Sequence, residues 1–251
     1  MYKILAIIVP IVLVIIISII QENLFKSISD KRIKAILYIM SGLIGSFLIY
    51  RFILYSCIKT GCNTLYFGSY KGLLLGIVVG VCISIFSGLF YYLVNQPKLN
   101  IPAFHKNLEI SVIANMSPAI VEEFGFRGGV VHFLQSYYGK MVGLAGGSIS
   151  FGIVHIIGRM FGNPVGISHI TGVTIAGLLL SLLYMKYGLF SAIGCHWIWN
   201  SLCNPICRMF GIPDKGGTQV FEGAWTTILV YVCILSFILG CLSVLLTSFI
   251  P

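Results

Sequence analysis

The residues best suited to chemistry lie in one short segment, 121–128, which reads VEEFGFRG within a long apolar stretch. Only seven of the 251 residues are acidic, and two of these, Glu122 and Glu123, are adjacent here. Glu123 and Arg127 are four residues apart, which places them on one helical face in the order that favours an ion pair. Glu122 lies about 100° around the helix from Glu123. Glu122 is therefore the less obviously neutralised of the two carboxylates.

Two histidine-containing segments follow in later apolar stretches. Phe151 and His155 are four residues apart, and so are His196 and Asn200, so each pair shares a helical face. With the glutamates, these residues supply a general base, a second acid, base or metal ligand, and hydrogen-bond donors for a developing oxyanion. This set of groups favours water-mediated acyl hydrolysis. Taken alone, the Glu-Glu-Arg cluster could equally lock the helices together as a structural charge cluster.

Other hydrolytic arrangements fit the sequence less well. No GxSxG motif is present, and Cys195 points about 100° away from His196 on a helix. The HExxH motif is also absent, so a metal site would have to be assembled from several helices. We expect His132 to pack or face lipid, and His169 to have a role at the end of its helix.

The composition indicates the environment of these residues. Charged residues make up 9% of the chain and hydrophobic ones 58%, whereas soluble domains carry about 25% charged residues. A soluble enzyme, a disordered chain and a small secreted disulfide scaffold are excluded. The net charge of +9 is interpreted as topology signals and contacts with anionic membrane lipids, not as nucleic-acid binding. Cys57 and Cys62 flank a loop and could form a disulfide if that loop is extracytoplasmic.

The apolar stretches predict an all-α, polytopic membrane helix bundle with about eight transmembrane helices. We predict a single integral membrane domain over 1–251, and the Ile-rich composition fits a bacterial plasma membrane. The lysine and arginine distribution weakly favours an outside amino terminus. The predicted spans are 4–20, 36–58, 72–94, 110–138, 141–157, 167–187, 189–210 and 224–249.

Three motifs in order, EExxFRG, FxxxH and HxxxN, resemble those of the CPBP family of intramembrane proteases. This family contains the CAAX prenyl endopeptidases and the bacteriocin-processing or immunity proteins, and is also called Abi. The motifs run from Glu122 to Gly128, Phe151 to His155 and His196 to Asn200, inside a core of residues 108–205. The resemblance implies an intramembrane endopeptidase that cuts a membrane-associated peptide or a lipidated protein.

The resemblance also implies roles for single residues. Glu122 would activate water with help from His155, and Glu123 and Arg127 would position the site. His196 and Asn200 would orient the substrate carbonyl and stabilise its oxyanion. The cofactor stays open between none and a zinc-like divalent metal held by Glu122, His155 and His196.

Two other classes of function remain in view. A non-catalytic immunity or regulatory protein would bind a peptide or a membrane protein, but binding alone does not require this acid and base set. A proton-coupled transporter could also use buried glutamate and histidine. The acid and base residues are concentrated in one half of the chain, which makes an inverted-repeat carrier less fitting.

Overall fold

The chain forms a bundle of helices, seen in a computed structural model that describes residues 2–96, 98–106, 108–157 and 167–210. No strand is present in these ranges. The predicted stretch 224–249 lies outside them. The helices are α1 (Tyr2–Phe25), α2 (Lys31–Thr60), α3 (Tyr70–Asn95), α4 (Ile101–His105), α5 (Leu108–Glu123), a π-helical segment (Phe124–Val131), α6 (His132–Tyr138), α7 (Lys140–Val154), α8 (Ile167–Tyr187) and α9 (Leu189–Met209).

Five of these helices, α1, α2, α3, α7 and α8, are long and apolar enough to cross a membrane. Their outer faces expose large apolar side chains, among them Ile44, Phe47, Ile58, Phe86 and Met141. The predicted spans 110–138 and 189–210 are also helical, but they carry the polar motif residues. The prediction of an all-α, multi-pass membrane bundle is confirmed.

Helix α9 lies against α3 at very close range because a stripe of glycines faces it. A Cβ atom added at Gly80 would lie 2.7 Å from the carbonyl oxygen of Cys195 in α9, and one at Gly72 would lie 2.8 Å from that of Tyr187, at the end of α8 just before α9. At Gly76 a Cβ would overlap the Ser191 carbonyl oxygen. Small residues at such spacing let membrane helices pack backbone to backbone. This contact fixes the helix that carries the HxxxN motif.

Helix α5, the π-helical segment and α6 run without a break from 108 to 138. Pro10 of α1 lies against Gly129, where an added Cβ would be 2.5 Å from the Pro10 Cβ. Val14 of α1 occupies the space beside Gly125 in the same way. The EExxFRG motif therefore straddles the start of a buried π-helical segment, a feature that is frequent at functional sites.

The connections around the bundle core are short. Gly139 and Gly188 have φ values of 93° and 90°, and each joins two successive helices alone. The first amide groups of α9 donate to the Tyr66 and Phe67 carbonyls at 3.0 Å each, so the loop before α3 satisfies them. Cys57 and Cys62, at the end of α2, are free thiols.

Candidate active site

A cavity of about 200 Å³ lies between α5, α7, α8 and α9. Four of the six residues singled out from the sequence line it: Glu122, His155, His196 and Asn200. The other two, Glu123 and Arg127, are fully buried. The remaining lining residues are Phe151, His169, Gly172, Val173, Ala176, Leu180, Trp199 and Cys203.

Glu123 is the centre of a buried polar cluster. Its Oε1 atom accepts a hydrogen bond from Arg127 Nη1 at 2.9 Å, which forms the expected i, i+4 ion pair. The same oxygen is 2.7 Å from His196 Nδ1. Arg127 Nη2 donates to the Gly177 carbonyl at 3.1 Å, and the guanidinium lies 4.4 Å from the centre of the Phe151 ring. Three helices and the π-helical segment are thus joined through one buried ion pair.

Glu122 has a different environment from its neighbour. Its side chain is 21% exposed and borders the cavity, whereas that of Glu123 is 0% exposed. Its Oε2 atom is 3.9 Å from His196 Nε2, too far for a direct hydrogen bond. The helical rotation between adjacent residues therefore gives the two carboxylates different surroundings. Glu123 lies within the buried cluster, and Glu122 faces the cavity.

The two motif histidines are oriented through their Nδ1 atoms. His155 Nδ1 lies 2.8 Å from the Phe151 carbonyl oxygen, which can only accept, so this nitrogen carries a hydrogen. His196 Nδ1 is directed in the same way by the Glu123 carboxylate. In the neutral rings, Nε2 of each histidine keeps its lone pair. Phe151 packs beside both rings, at 4.8 Å from His155 and 5.9 Å from His196 between ring centres.

These histidine tautomers suit a metal ligand in orientation, since ligating histidines commonly donate their other N–H to a carboxylate or carbonyl. The distances between the candidate ligands do not suit a metal ion. Among the described residues, no three side chains of His, Cys, Asp or Glu lie close enough to hold one ion. As placed, Glu122, His155 and His196 therefore do not fit a bound zinc-like ion.

Several residues outside the three motifs also neighbour the site. His169 starts α8 as expected, but it also lines the cavity, with its ring centre 5.8 Å from that of His155. Trp199 lines the cavity as well. His132 was expected either to pack inside the bundle or to face lipid, and it packs. Its residue is 4% exposed, and its Nδ1 is 3.1 Å from the Tyr184 hydroxyl. No sequence signal marked Gly177, which acts through its backbone carbonyl.

The part of the chain that carries this site is similar to a known protein family. Residues 105–202 match the family of Rce1-like, type II CAAX prenyl endopeptidases. This match confirms the resemblance that the three motifs indicated, over about two fifths of the chain. Comparisons with curated proteins and with solved structures give no match. The Rce1-like match points to a CAAX-type intramembrane endopeptidase acting on a membrane-associated peptide or protein.

Proposed function

We propose that this protein hydrolyses a peptide bond in a membrane-associated substrate with a water molecule activated by Glu122. The observation that carries the proposal is the contrast between the adjacent glutamates. Glu123 is buried and paired with Arg127, whereas Glu122 borders the cavity without such a partner among the described residues. A carboxylate beside a cavity that can hold water is suited to general base catalysis.

In the proposed reaction, a water molecule lies in the cavity beside Glu122. Glu122 accepts a proton from this water while the water oxygen attacks the scissile carbonyl carbon. The carbonyl oxygen then becomes an oxyanion. Nε2 of His155 accepts a hydrogen bond from the other O–H of the water and so holds the water molecule in place. The C–N bond then breaks as Glu122 returns its proton to the leaving nitrogen. The products are a new carboxyl terminus and a free amine.

The oxyanion needs hydrogen-bond donors, and α9 carries two candidates. Asn200 lines the cavity, and its amide can donate without any change of protonation. His196 gives its Nδ1–H to Glu123, so it can donate from Nε2 only when both ring nitrogens are protonated. Arg127 and Glu123 act behind these groups by fixing the orientation of the His196 ring.

The substrate would reach the site as an extended peptide from the lipid bilayer. The α8 side of the cavity presents Gly172, Val173, Ala176 and Leu180, which favours small or apolar side chains next to the scissile bond. Because α7 and α8, two of the helices around the cavity, are long and apolar enough to cross a membrane, a lipidated or strongly hydrophobic peptide would be concentrated beside the cavity.

Peptide cleavage by the purified protein tests the proposal. Farnesylated and unmodified hydrophobic peptides would be offered to the wild type and to Glu122→Gln, with products read by mass spectrometry. Loss of a general base costs about 10²–10⁴-fold in rate, so we expect Glu122→Gln to be inactive. The matched control is Glu109→Gln, on an exposed position of the same helix, which should cleave like the wild type.

Two outcomes would contradict this mechanism. Cleavage at the wild-type rate by Glu122→Gln would remove Glu122 from the chemistry. Cleavage that a strong chelator abolishes and added zinc restores would show that a metal, and not the carboxylate alone, activates the water. If the wild type cuts no peptide of either kind, a peptide-binding role without catalysis becomes the better interpretation.

A further inference from the structure

A second cavity, of about 370 Å³, lies between α1, α2 and α5 and shares no lining residue with the catalytic cavity. It is located where α1 ends and where α2 and α5 begin, which is the end of the bundle that carries the basic segment 26–34, formed by the α1–α2 loop and the first turn of α2. Its lining residues are Ser18, Gln21, Glu22, Lys31, Lys34, Ala35, Tyr38, Ile110, Ala114 and Pro118.

The chemical character of this cavity changes along the helices. Lys31 and Lys34 stand one turn apart at the start of α2, and the Lys34 ammonium lies 6.0 Å from the centre of the Tyr38 ring. Further into the bundle the wall is apolar, with Ala35, Ala114 and Pro118. An occupant must therefore combine an anionic group with an apolar portion.

The cavity has a firm polar frame. Gln21 is 5% exposed, and its amide nitrogen lies 3.2 Å from the Tyr38 carbonyl, 2.8 Å from Ser41 Oγ and 3.1 Å from Ser117 Oγ, so its two hydrogens are shared among these three acceptors. These bonds join α1, α2 and α5. Because the three walls are fixed to one another, the cavity is formed before any ligand enters.

The balance of charge favours an anion. Glu22 is the one acidic residue among the described residues that line the cavity, and its Oε2 accepts a hydrogen bond from the Tyr38 hydroxyl at 3.0 Å. The two lysines therefore outnumber the single carboxylate. Lys26 and Arg32, both exposed, add positive charge close by without lining the cavity.

We propose that this cavity binds an anionic phospholipid of the bilayer. The headgroup phosphate lies between Lys31 and Lys34, and the start of an acyl chain lies against Ala114 and Pro118. Clusters of lysine and arginine beside a membrane helix attract anionic lipids, and here a preformed cavity selects one molecule. This site is independent of the proposed endopeptidase activity.

The test measures retention of phosphatidylglycerol against phosphatidylcholine by the full chain in detergent, with native mass spectrometry at physiological ionic strength. Each basic residue near an anionic lipid surface contributes roughly fivefold in association, so Lys31→Gln with Lys34→Gln should weaken phosphatidylglycerol binding about 25-fold. The matched control, Lys26→Gln with Arg32→Gln, removes the same charge from residues of the same region that do not line the cavity. The control should change binding by less than about twofold.

A third variant tests the apolar wall. Ala114→Leu keeps both lysines and fills part of the cavity, so it should also weaken lipid binding, while circular dichroism confirms its helical content. Inorganic phosphate should not displace the lipid. Equal weakening by the two double variants, equal retention of the two lipids, or displacement by inorganic phosphate would each overturn the proposal.

Discussion

Glu123→Gln separates the charge of the buried cluster from its geometry. A glutamine oxygen in the place of Oε1 can still accept from Arg127 Nη1 and His196 Nδ1, while its amide nitrogen takes the position of Oε2. That second oxygen has no hydrogen-bond partner among the described residues, so its replacement breaks no hydrogen bond there. What is lost is the negative charge beside the buried guanidinium.

The free-energy cost follows from the burial of Arg127, which is 0% exposed. Removing one partner of a buried ion pair costs about 3–5 kcal/mol because the other charge stays buried and uncompensated. The Gly177 carbonyl and the Phe151 ring still contact the guanidinium, so we expect the lower end, about 3 kcal/mol. Arg127→Met in the Glu123→Gln variant removes the uncompensated guanidinium. It should therefore restore about 2 kcal/mol of the lost free energy of unfolding, since the effects of residues in contact are not additive.

The assay is unfolding in mixed micelles by a denaturing detergent, followed by circular dichroism. Glu122→Gln is the matched control, since it makes the same change one residue earlier at a side chain that borders the cavity. It should alter the free energy of unfolding by less than about 1 kcal/mol, as is usual away from buried networks. If Glu123→Gln is as stable as Glu122→Gln, the buried pair does not hold the bundle and our reasoning about the two carboxylates is wrong.

Three further changes test other parts of the structure. Gly76→Val should separate α3 from α9, because its side chain would overlap the Ser191 carbonyl, and a loss of about 2–3 kcal/mol is expected in the same unfolding assay; wild-type stability would contradict the close contact. Phe151→Leu should lower the cleavage rate about 10²-fold, since misplacement near 1 Å has that effect, and a change in KM alone would refute a positioning role. His169→Gln should reduce the cleavage rate, whereas the same change at the exposed His105 should not. Equal cleavage rates for the two variants would show that His169 lines the cavity without taking part in the reaction.

The parts of the site that the sequence predicted are those set by spacing along one helix. Glu123 and Arg127 pair because residues four apart face each other on a helix. The adjacent Glu122 turns to another side for the same reason. Helix limits next to single glycines were also predictable, and the limits 167–187 expected for one span are those of α8.

The parts that were not predicted depend on contacts between helices. Nothing in the spacing of His196 shows that it orients toward Glu123 and not Glu122, because that choice depends on how α9 is rotated against α5. The same rotation is set by glycines in α3 that touch α9 through the backbone. The π-helical segment packs tightly against Pro10 at Gly129, a contact between helices that spacing along one helix does not reveal.

The chemistry proposed for Glu122 depends on this packing more than on the motif itself. Two adjacent carboxylates in a membrane bundle would repel each other and would be costly to bury. Arg127 compensates one of them, and the resulting pair holds His196 with its Nε2 atom 3.9 Å from Glu122. On our proposal, the buried pair both stabilises the bundle and orients the His196 ring beside Glu122. Loss of Glu123 should therefore affect folding and catalysis together, whereas loss of Glu122 should affect catalysis alone.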